Sequence, residues 1–362
     1  MRHTILLLAA TAILGCTDPL YNISQEGHPI SFKAVQKAKS GTKASTTYSF
    51  DVKECGFGII AYNTGTDTWD SSVRNHPNFM WNQQVTKPST TWQYSPIKYW
   101  ATDYSENISF FAYAPYSTSG EYGITPMPNN SQDEPYIDFV LSNPDNMTDL
   151  LAGQQIDQTG LDVNGKETGI TFALSHLLSG LDCKIKVDKT SIKEYGTAAT
   201  VYIKSFRLRK GPALFARGRY YFAQHTDSIG HWETQSEDLS AQDLDLSGII
   251  DITRDPKETN NDSLSGNRGK YREVLNTSVK ELFQKDKKIL LIPANNNQGT
   301  LHDGDLTIVI DYDVVTLDRN LADGYCIQHN TLELPLPAGS LKSNTNYSYS
   351  IEIGANNIDI KL

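Results

Sequence analysis

The segment Leu306-Thr-Ile-Val-Ile-Asp-Tyr-Asp-Val314 shows the pattern that decides the fold. Its large apolar residues recur at every second position, and Asp311 and Asp313 stand between them. Successive side chains of a β-strand point to opposite faces of a sheet, so this alternation predicts a strand with one buried and one solvated face. Residues 347–353 repeat the same alternation, with tyrosine and isoleucine on one face.

The remaining chain is rich in β-branched and aromatic runs that are separated by Gly, Pro, Asn and Asp. Such runs predict strands. We expect them at residues 30–35, 48–52, 57–62, 108–114, 136–141, 170–174, 181–187, 201–208, 288–293 and 358–362. The only helix candidates are two short segments, residues 146–152 and 274–283. This balance predicts an all-β fold built of β-sandwiches.

Composition narrows the class of protein. The 362 residues include 32 Lys and Arg against 42 Asp and Glu, which gives a formal net charge of -10. An anionic surface repels phosphate, so the simplest kind of nucleic-acid-binding protein is excluded. Only 20% of the residues are charged and 10% are aromatic, a balance typical of chains that bury a core. The length fits two ordinary domains or one large all-β domain.

The amino terminus has the features of an export signal. Residues 1–15 begin with Arg2 and His3, continue as an apolar run and end in a small residue before Cys16. The run is too short to span a bilayer of about 30 Å as a helix, but it fits a secretory signal. Ile13-Leu14-Gly15-Cys16 resembles the lipobox of bacterial lipoproteins, in which the cysteine is acylated. We therefore predict a lipoprotein signal peptide at 1–15, lipidation of Cys16, attachment to a membrane surface and a polar tether at 16–29.

The polar segment at residues 154–169 is the best candidate for a domain boundary, because it is rich in Gly, Asp, Gln and Thr and precedes an apolar strand pair. We predict an amino-terminal β-sandwich over residues 30–168 and a carboxyl-terminal β-sandwich over residues 169–362. A second polar segment, residues 255–270, predicts a long surface loop within the second sandwich.

Motifs for catalysis, cofactors and metals are weak. Gly56-Phe-Gly58-Ile-Ile-Ala61 matches a dinucleotide-binding pattern, but strand-like residues follow where a helix is required. A calcium-loop pattern that starts at Asp243 has Arg254 where the bidentate glutamate should stand. His176 lies in an apolar run, which favours a hydrogen-bonded core or interface residue over a catalytic base. We predict no catalytic residue, no cofactor, no metal and no enzymatic activity.

The three cysteines after Cys16, namely Cys55, Cys183 and Cys326, are far apart and show no zinc-ligand spacing. They allow at most one disulfide, and buried thiols on strands are the favoured interpretation. The tryptophans are Trp69, Trp81, Trp92, Trp100 and Trp232. They could form a sugar-stacking platform or cap the ends of the sandwiches, and capping is favoured. A glycan-binding surface lipoprotein is therefore an alternative function.

The order of several segments carries a more specific signal. They are Ile30-Ser-Phe-Lys-Ala-Val35, Gly41-Thr-Lys-Ala44, Phe57-Gly-Ile-Ile-Ala-Tyr62, Tyr99-Trp100, Ile108-Ser-Phe-Phe-Ala-Tyr-Ala-Pro115, Asp149-Leu-Leu-Ala152, Ile170-Thr-Phe-Ala-Leu-Ser-His-Leu-Leu-Ser-Gly-Leu181 and Tyr347-Ser-Tyr-Ser-Ile-Glu-Ile-Gly354. Together they resemble the fimbrillin-like proteins of Bacteroides and Porphyromonas relatives, exported lipoproteins that build type V pili.

The resemblance implies two transthyretin-like β-sandwich domains in tandem and assembly by strand exchange. In that family a protease removes the amino-terminal strand, and a strand of the next subunit fills the groove. Here the removable strand would carry Ile30, Phe32 and Ala34 on one face, and the donor strand would carry Ile358, Ile360 and Leu362. Both strands could instead be permanent members of their own sandwiches.

The processing site departs from the family pattern. Stalk subunits of the family are cut after Arg, but no Arg lies between Cys16 and Arg74. Lys39 and Lys43 are the candidate sites in the link after the first strand. The protein could therefore be a stalk, anchor or tip subunit. The implied partners are other pilus subunits, the membrane before processing, and a surface ligand of a host or bacterium.

Overall fold

The computed structural model describes residues 27–37, 40–41, 52–72, 76–188, 199–250, 274–275, 278–284, 287, 289–293, 304–317, 320–322, 324–336, 341–353 and 358–361. The predicted signal peptide and Cys16 lie outside the described residues, as do Lys39, Lys43 and Leu362. Among the helices of the described residues, none is long and apolar enough to cross a membrane.

The described residues are almost entirely β-structure. The strands are β1 (Phe32–Gln36), β2 (Ser40–Gly41), β3 (Phe57–Gly65), β4 (Met80–Val85), β5 (Asn107–Ala114), β6 (Ile124–Pro126), β7 (Tyr136–Val140), β8 (Leu151–Gln158), β9 (Ile170–His176), β10 (Ser179–Val187), β11 (Ala199–Leu208), β12 (Arg217–Tyr221), β13 (His231–Glu233), β14 (Leu244–Asp245), β15 (Val274–Leu275), β16 (Lys280–Glu281), β17 (Ile289–Leu291), β18 (Thr307–Leu317), β19 (Tyr325–Pro335), β20 (Thr345–Ile353) and β21 (Ile358–Lys361). The helices are α1 (Val52–Cys55) and the 3-10 turns Glu121–Gly123, Pro144–Asn146, Ser236–Asp238 and Ser247–Ile249. The all-β sandwich fold is confirmed.

The amino-terminal sheet has the strand order β1-β9-β8-β5-β3-β4. Its strand β5 is central and pairs antiparallel with β3 and β8. One face of the sheet buries a cluster that includes Phe57, Phe110 and Phe172, each fully shielded from solvent. Ring contacts at 5.6 Å and 6.2 Å connect Phe110 and Phe172 to Phe32 of β1. The core of this sheet therefore includes the first strand of the described chain.

Two further sheets form the carboxyl-terminal part. One has the order β16-β10-β20-β2, with β17 beside β10 and β21 beside β20, and the other has the order β14-β11-β18-β19, with β15 beside β11. Ile308, Ile310 and Tyr312 of β18 point into a cluster that includes Ile351 of β20. The alternation that predicted β18 therefore reflects packing between two sheets, as expected for a sandwich.

A fourth sheet, which we call the middle sheet, has the order β13-β12-β7-β6. Its strands β6 and β7 precede residue 169, and β12 and β13 follow it. Its buried cluster likewise combines Trp69 and Phe111 with Phe222 and Trp232. Hydrogen bonding and packing therefore cross residue 169, where we place the domain boundary; the division into two domains stays a prediction.

Several expected elements are wrong. Residues 146–152 do not form a helix, because the 3-10 turn Pro144–Asn146 ends at once and β8 pairs with β5. Residues 274–283 contain β15 and β16, which pair with the edges of β11 and β10. Strands at sheet edges have unpaired backbone N–H and C=O groups, and β15 and β16 provide hydrogen-bond partners for them. Val52, expected at the end of a strand, begins α1.

The polar segment at residues 154–169, where we place the domain boundary, begins within a strand, because Gln154 to Gln158 belong to β8. Strands β4, β6, β12, β13 and β19 were not expected from the sequence. The expected strands that correspond to β1, β3, β5, β7, β9, β10, β11, β17, β18, β20 and β21 are present.

We expect Phe111→Ala to lower the free energy of unfolding by about 3–5 kcal/mol, the usual cost of truncating a buried phenylalanine. Phe111 is fully buried and its ring contacts Trp69 at 4.9 Å and Phe222 at 5.4 Å. Urea denaturation followed by tryptophan fluorescence measures the change. Val163→Ala is the control, because Val163 is 101% exposed. Equal urea midpoints for the two variants would contradict the role of Phe111 in the buried cluster of the middle sheet.

Candidate functional site

The first strand, β1, lies at the edge of the amino-terminal sheet. In the described part of the chain β1 pairs with β9 alone, in parallel, from Phe32 opposite Ile170 to Gln36 opposite Leu174. Ile170 N donates to Ser31 O and Lys37 N donates to Leu174 O, both at 2.8 Å. An edge strand can be removed without disrupting a strand beyond it, so β1 is structurally separable from the sheet.

The side chains of β1 are nevertheless part of the core. Ile30 and Phe32 are only 2% and 3% exposed, Ala34 is half-buried, and Lys33 and Val35 face solvent. The Phe32 ring also contacts Tyr94 edge to face at 5.0 Å. The face that alternation assigned to the candidate removable strand is therefore the buried face, and its burial declines toward Ala34.

Residues 92–100 hold the chain just before β1, and we call this segment the clasp. Ile30 N donates to Lys98 O, and Trp100 N donates to His28 O, both at 2.9 Å. Pro29 and Tyr99 form the antiparallel bridge between them. Residues 28–30 thus pair with the clasp, and residues 32–36 pair with β9.

Tyr94 fastens the clasp to the first strand. Its hydroxyl donates to Ile30 O at 2.8 Å and accepts from Lys98 N at 3.1 Å. Burial raises the pKa of Tyr94, with a smaller opposing contribution from the Lys98 backbone. The hydroxyl therefore keeps its proton at physiological pH and acts as the donor that the Ile30 carbonyl requires.

Polar side chains hold both ends of this segment. At one end His28 Nδ1 lies 2.8 Å from Glu167 Oε1, a partly exposed pair of small energetic weight. At the other end Gln36 Nε2 lies 3.3 Å from His176 Nε2, and His176 Nδ1 lies 2.5 Å from Asp149 Oδ2. His176 is 2% exposed. Its expected role as a hydrogen-bonded core residue is confirmed.

The segment continues into the carboxyl-terminal part. Ser40 and Gly41 of β2 pair in parallel with Thr345 and Asn346 of β20. Strand β21 pairs antiparallel with β20 farther along, from Ser350 to Ile353. Because β10 covers the opposite edge of β20 at both places, β2 and β21 share one edge. The second described strand, β2, and the last one, β21, therefore both pair with β20.

The predicted donor residues Ile358 and Ile360 lie in β21, opposite Ile353 and Ile351, and only their backbone is described.

Of the cysteines, Cys183 is fully buried in the carboxyl-terminal core, whereas Cys55 is half-buried and Cys326 is exposed. Among the described residues, no group of three or more His, Cys, Asp or Glu is arranged to hold a metal ion.

The tryptophans do not form one platform. Trp69, Trp100 and Trp232 are at most 5% exposed, while Trp81 is 42% exposed and Trp92 is half-buried. The indole nitrogens of Trp69 and Trp232 donate to Gln224 Oε1 and Leu177 O. A buried, hydrogen-bonded indole is unavailable for stacking on a sugar.

The fold and the site define an all-β protein whose first described strand lies at the edge of a sheet. The model of the family described as Fimbrillin-like matches residues 42–361. The chain belongs to this family.

A fimbrium subunit from Phocaeicola vulgatus, Fim1C, is 28% identical to the chain over 378 residues, covering 99% of this chain and 94% of that protein. The crystal structure of a fimbrial protein from Bacteroides vulgatus matches with a TM-score of 0.70 and 28% identity, over 92% of this chain and 97% of that one. The similarity to both proteins therefore extends over nearly their full lengths.

The clasp was missed from the sequence. Tyr94 lies in a segment rich in Ser, Thr and Pro, without alternation. The pair Tyr99-Trp100, which belongs to the family pattern, is the available signal in the sequence. The pairing partner of residues 98–100 is about seventy residues away in the chain, which no local pattern reveals.

Tyr94→Phe should loosen the clasp, because it removes the donor to Ile30 O. We expect a loss of about 1 kcal/mol, the net worth of a typical hydrogen bond. Hydrogen exchange at the amides of Ile30 and Trp100 would accelerate accordingly, while exchange in β18 would stay unchanged. Tyr99→Phe is the matched control, since Tyr99 is 51% exposed. Unchanged exchange at Ile30 would contradict the assigned role of Tyr94.

Proposed function

We propose that this protein is a structural and adhesive subunit of a type V pilus on the cell surface, and that it has no catalytic role. Membership of the fimbrillin-like family and similarity to a fimbrium subunit and a fimbrial protein support this function. Export would begin with the signal at residues 1–15 and lipidation of Cys16 would hold the chain at the outer membrane. The proposal includes two transthyretin-like sandwiches divided near residue 169.

The observation that carries the assembly mechanism is the position of β1. Removal of residues 27–37 would expose the backbone groups of β9 that now bind Ser31 and Lys37. It would also vacate the sites of Ile30 and Phe32 against Tyr94, Phe110 and Phe172. Unpaired strand edges and apolar pockets in register are what β-strand addition requires. The vacated groove would accept a strand from a neighbouring subunit.

Strand β21 is the proposed donor. It pairs with β20 over four residues, and within the described chain no other strand pairs with it. Its sequence alternates Ile358 and Ile360 with Asp359 and Lys361. A strand with this alternation can place its apolar side chains into a groove and leave its charges in solvent.

The two candidate cleavage sites have different structural consequences. Cleavage after Lys39 would leave Ser40 and Gly41 paired with β20, whereas cleavage after Lys43 would remove β2 as well. The second cut would open the edge of β20 beside β21. A stalk subunit would be cut, an anchor subunit would keep Cys16 and its own strand, and a tip subunit would need the groove but no donor strand.

The test is a pair of charge-neutralising variants expressed in the native cells. We expect Lys39→Gln/Lys43→Gln to abolish polymer ladders on denaturing gels, because the first strand cannot be released. Lys33→Gln/Lys37→Gln is the matched control and should polymerise normally. Mass spectrometry of the amino terminus identifies the cut in the wild-type protein. Ladders made of chains that still carry acylated Cys16 would contradict strand exchange.

A further inference from the structure

The first strand and the clasp enclose an open cavity of about 430 Å³. The chain around the first strand lines it with residues 29–32, the clasp lines it with Trp92, Gln93, Tyr94 and Ile97, and β4 adds Val85. We call it the clasp cavity. Engineered apolar cavities of about 150 Å³ bind benzene, so this space has room for an aliphatic side chain together with its backbone.

The cavity lies beside the outer edge of β1. Within the described chain β1 pairs only with β9, so its other edge can accept hydrogen bonds from a further strand. The surrounding surface includes exposed apolar side chains, since Val35, Ile97 and Tyr99 are 58%, 45% and 51% exposed. An extended strand with a side chain directed into the cavity fits both features.

The charge around the cavity is opposite to that of the whole protein. Residues 27–37 and 85–100 contain Lys33, Lys37, Lys87 and Lys98 and no Asp or Glu. The whole chain has 32 basic and 42 acidic residues. Without these four lysines, the rest of the chain has 28 basic and 42 acidic residues, a net charge of -14. Acidic residues near β1 include Glu167, which contacts His28, Glu54 on the neighbouring α1, and the buried Asp149, which contacts His176 beside Gln36. A second copy of this chain, with a formal net charge of -10, is attracted to this basic surface, while its strand β21 balances Asp359 against Lys361.

We propose that the clasp cavity is the first docking point for strand β21 of a second copy, occupied before the resident first strand leaves. This inference rests on the proposed strand exchange. Ile358 or Ile360 would enter the cavity, and the backbone of β21 would pair with the outer edge of β1. The donor is then held at the end of the strand that it replaces.

Docking next to Ile30 would change how the first strand is released. Simultaneous release of residues 28–37 requires every hydrogen bond to the clasp and to β9 to break before any is replaced. A docked donor competes for these partners one pair at a time, starting at Tyr94 and Lys98. Because the donor is already bound, its effective concentration at the groove is of millimolar order rather than that of free subunits.

The test uses the full-length protein and a labelled peptide with the sequence of residues 354–362. Fluorescence anisotropy measures peptide binding to the uncleaved protein, and gel shift measures the rate of peptide incorporation after protease cleavage. Gln93→Trp fills the cavity from the clasp, and Val163→Trp is the control on a remote exposed turn. We expect Gln93→Trp to weaken binding and to slow incorporation by about tenfold or more, which corresponds to 1.4 kcal/mol, without changing its final extent.

Charge gives a second readout. Lys87→Glu/Lys98→Glu should slow association of two full-length copies, and added salt should reduce the difference from wild type. Lys210→Glu/Lys342→Glu, which changes two exposed lysines of the carboxyl-terminal part, should have a smaller effect.

The possible outcomes distinguish failure of the docking site from failure of the proposed strand exchange. Equal incorporation rates in Gln93→Trp and Val163→Trp, with no peptide bound to uncleaved protein, would overturn the docking site and leave strand exchange intact. Failure of the peptide to enter cleaved wild-type protein would overturn strand exchange and this inference together. Binding that is unaffected by Gln93→Trp would place the peptide elsewhere and also overturn the docking site.

Discussion

The two-sided backbone pairing of residues 28–36 is the constraint on which the amino-terminal sheet depends. The clasp satisfies residues 28–30, β9 satisfies residues 32–36, and Ile30 and Phe32 fill the core between them. Buried backbone groups without hydrogen-bond partners destabilise a fold, and so does the cavity that a missing pair of large apolar side chains leaves. The sheet is therefore complete only while some strand occupies this position, although the sheet itself does not require that strand to belong to the same chain.

The strand that pairs with β1 is connected to the carboxyl-terminal part by only a few residues. Strand β9 ends at His176 and β10 begins at Ser179, so the neighbour of β1 continues almost directly into the sheet that contains β20. The same sheet holds β2, the next strand after β1. A change at residues 32–41 therefore acts on both parts of the molecule. Leu177 and Leu178, between β9 and β10, are fully buried and leave little freedom at this joint.

Much of the fold could be predicted because packing on one face imposes alternation. Strand β18 lies between β11 and β19, and its Ile308, Ile310 and Tyr312 share a buried cluster with Ile351 of β20, so these residues recur at every second position. The equally long β19 was missed because it is an edge strand whose residues are mostly exposed, which removes the need for alternation. Gln154 belongs to a polar segment without alternation, yet its side-chain amide donates to the carbonyls of His225, Thr226 and Ser228 from within β8.

The candidate site likewise contains residues that could be predicted from the sequence and residues that could not. Ile30 and Phe32 could be assigned to one buried face because a strand determines their orientation locally. The clasp could not be assigned, because its role comes from a register between residues 28–30 and 98–100 that the intervening chain does not encode. Tyr94 is informative here: a tyrosine hydroxyl in a loop has no preferred partner in sequence, but burial against Phe32 makes the Ile30 carbonyl its natural acceptor. Because that acceptor is backbone, this hydrogen bond does not depend on the side chain at position 30, so in the proposed exchange selection among strands would come from the apolar side chains and from the surrounding lysines.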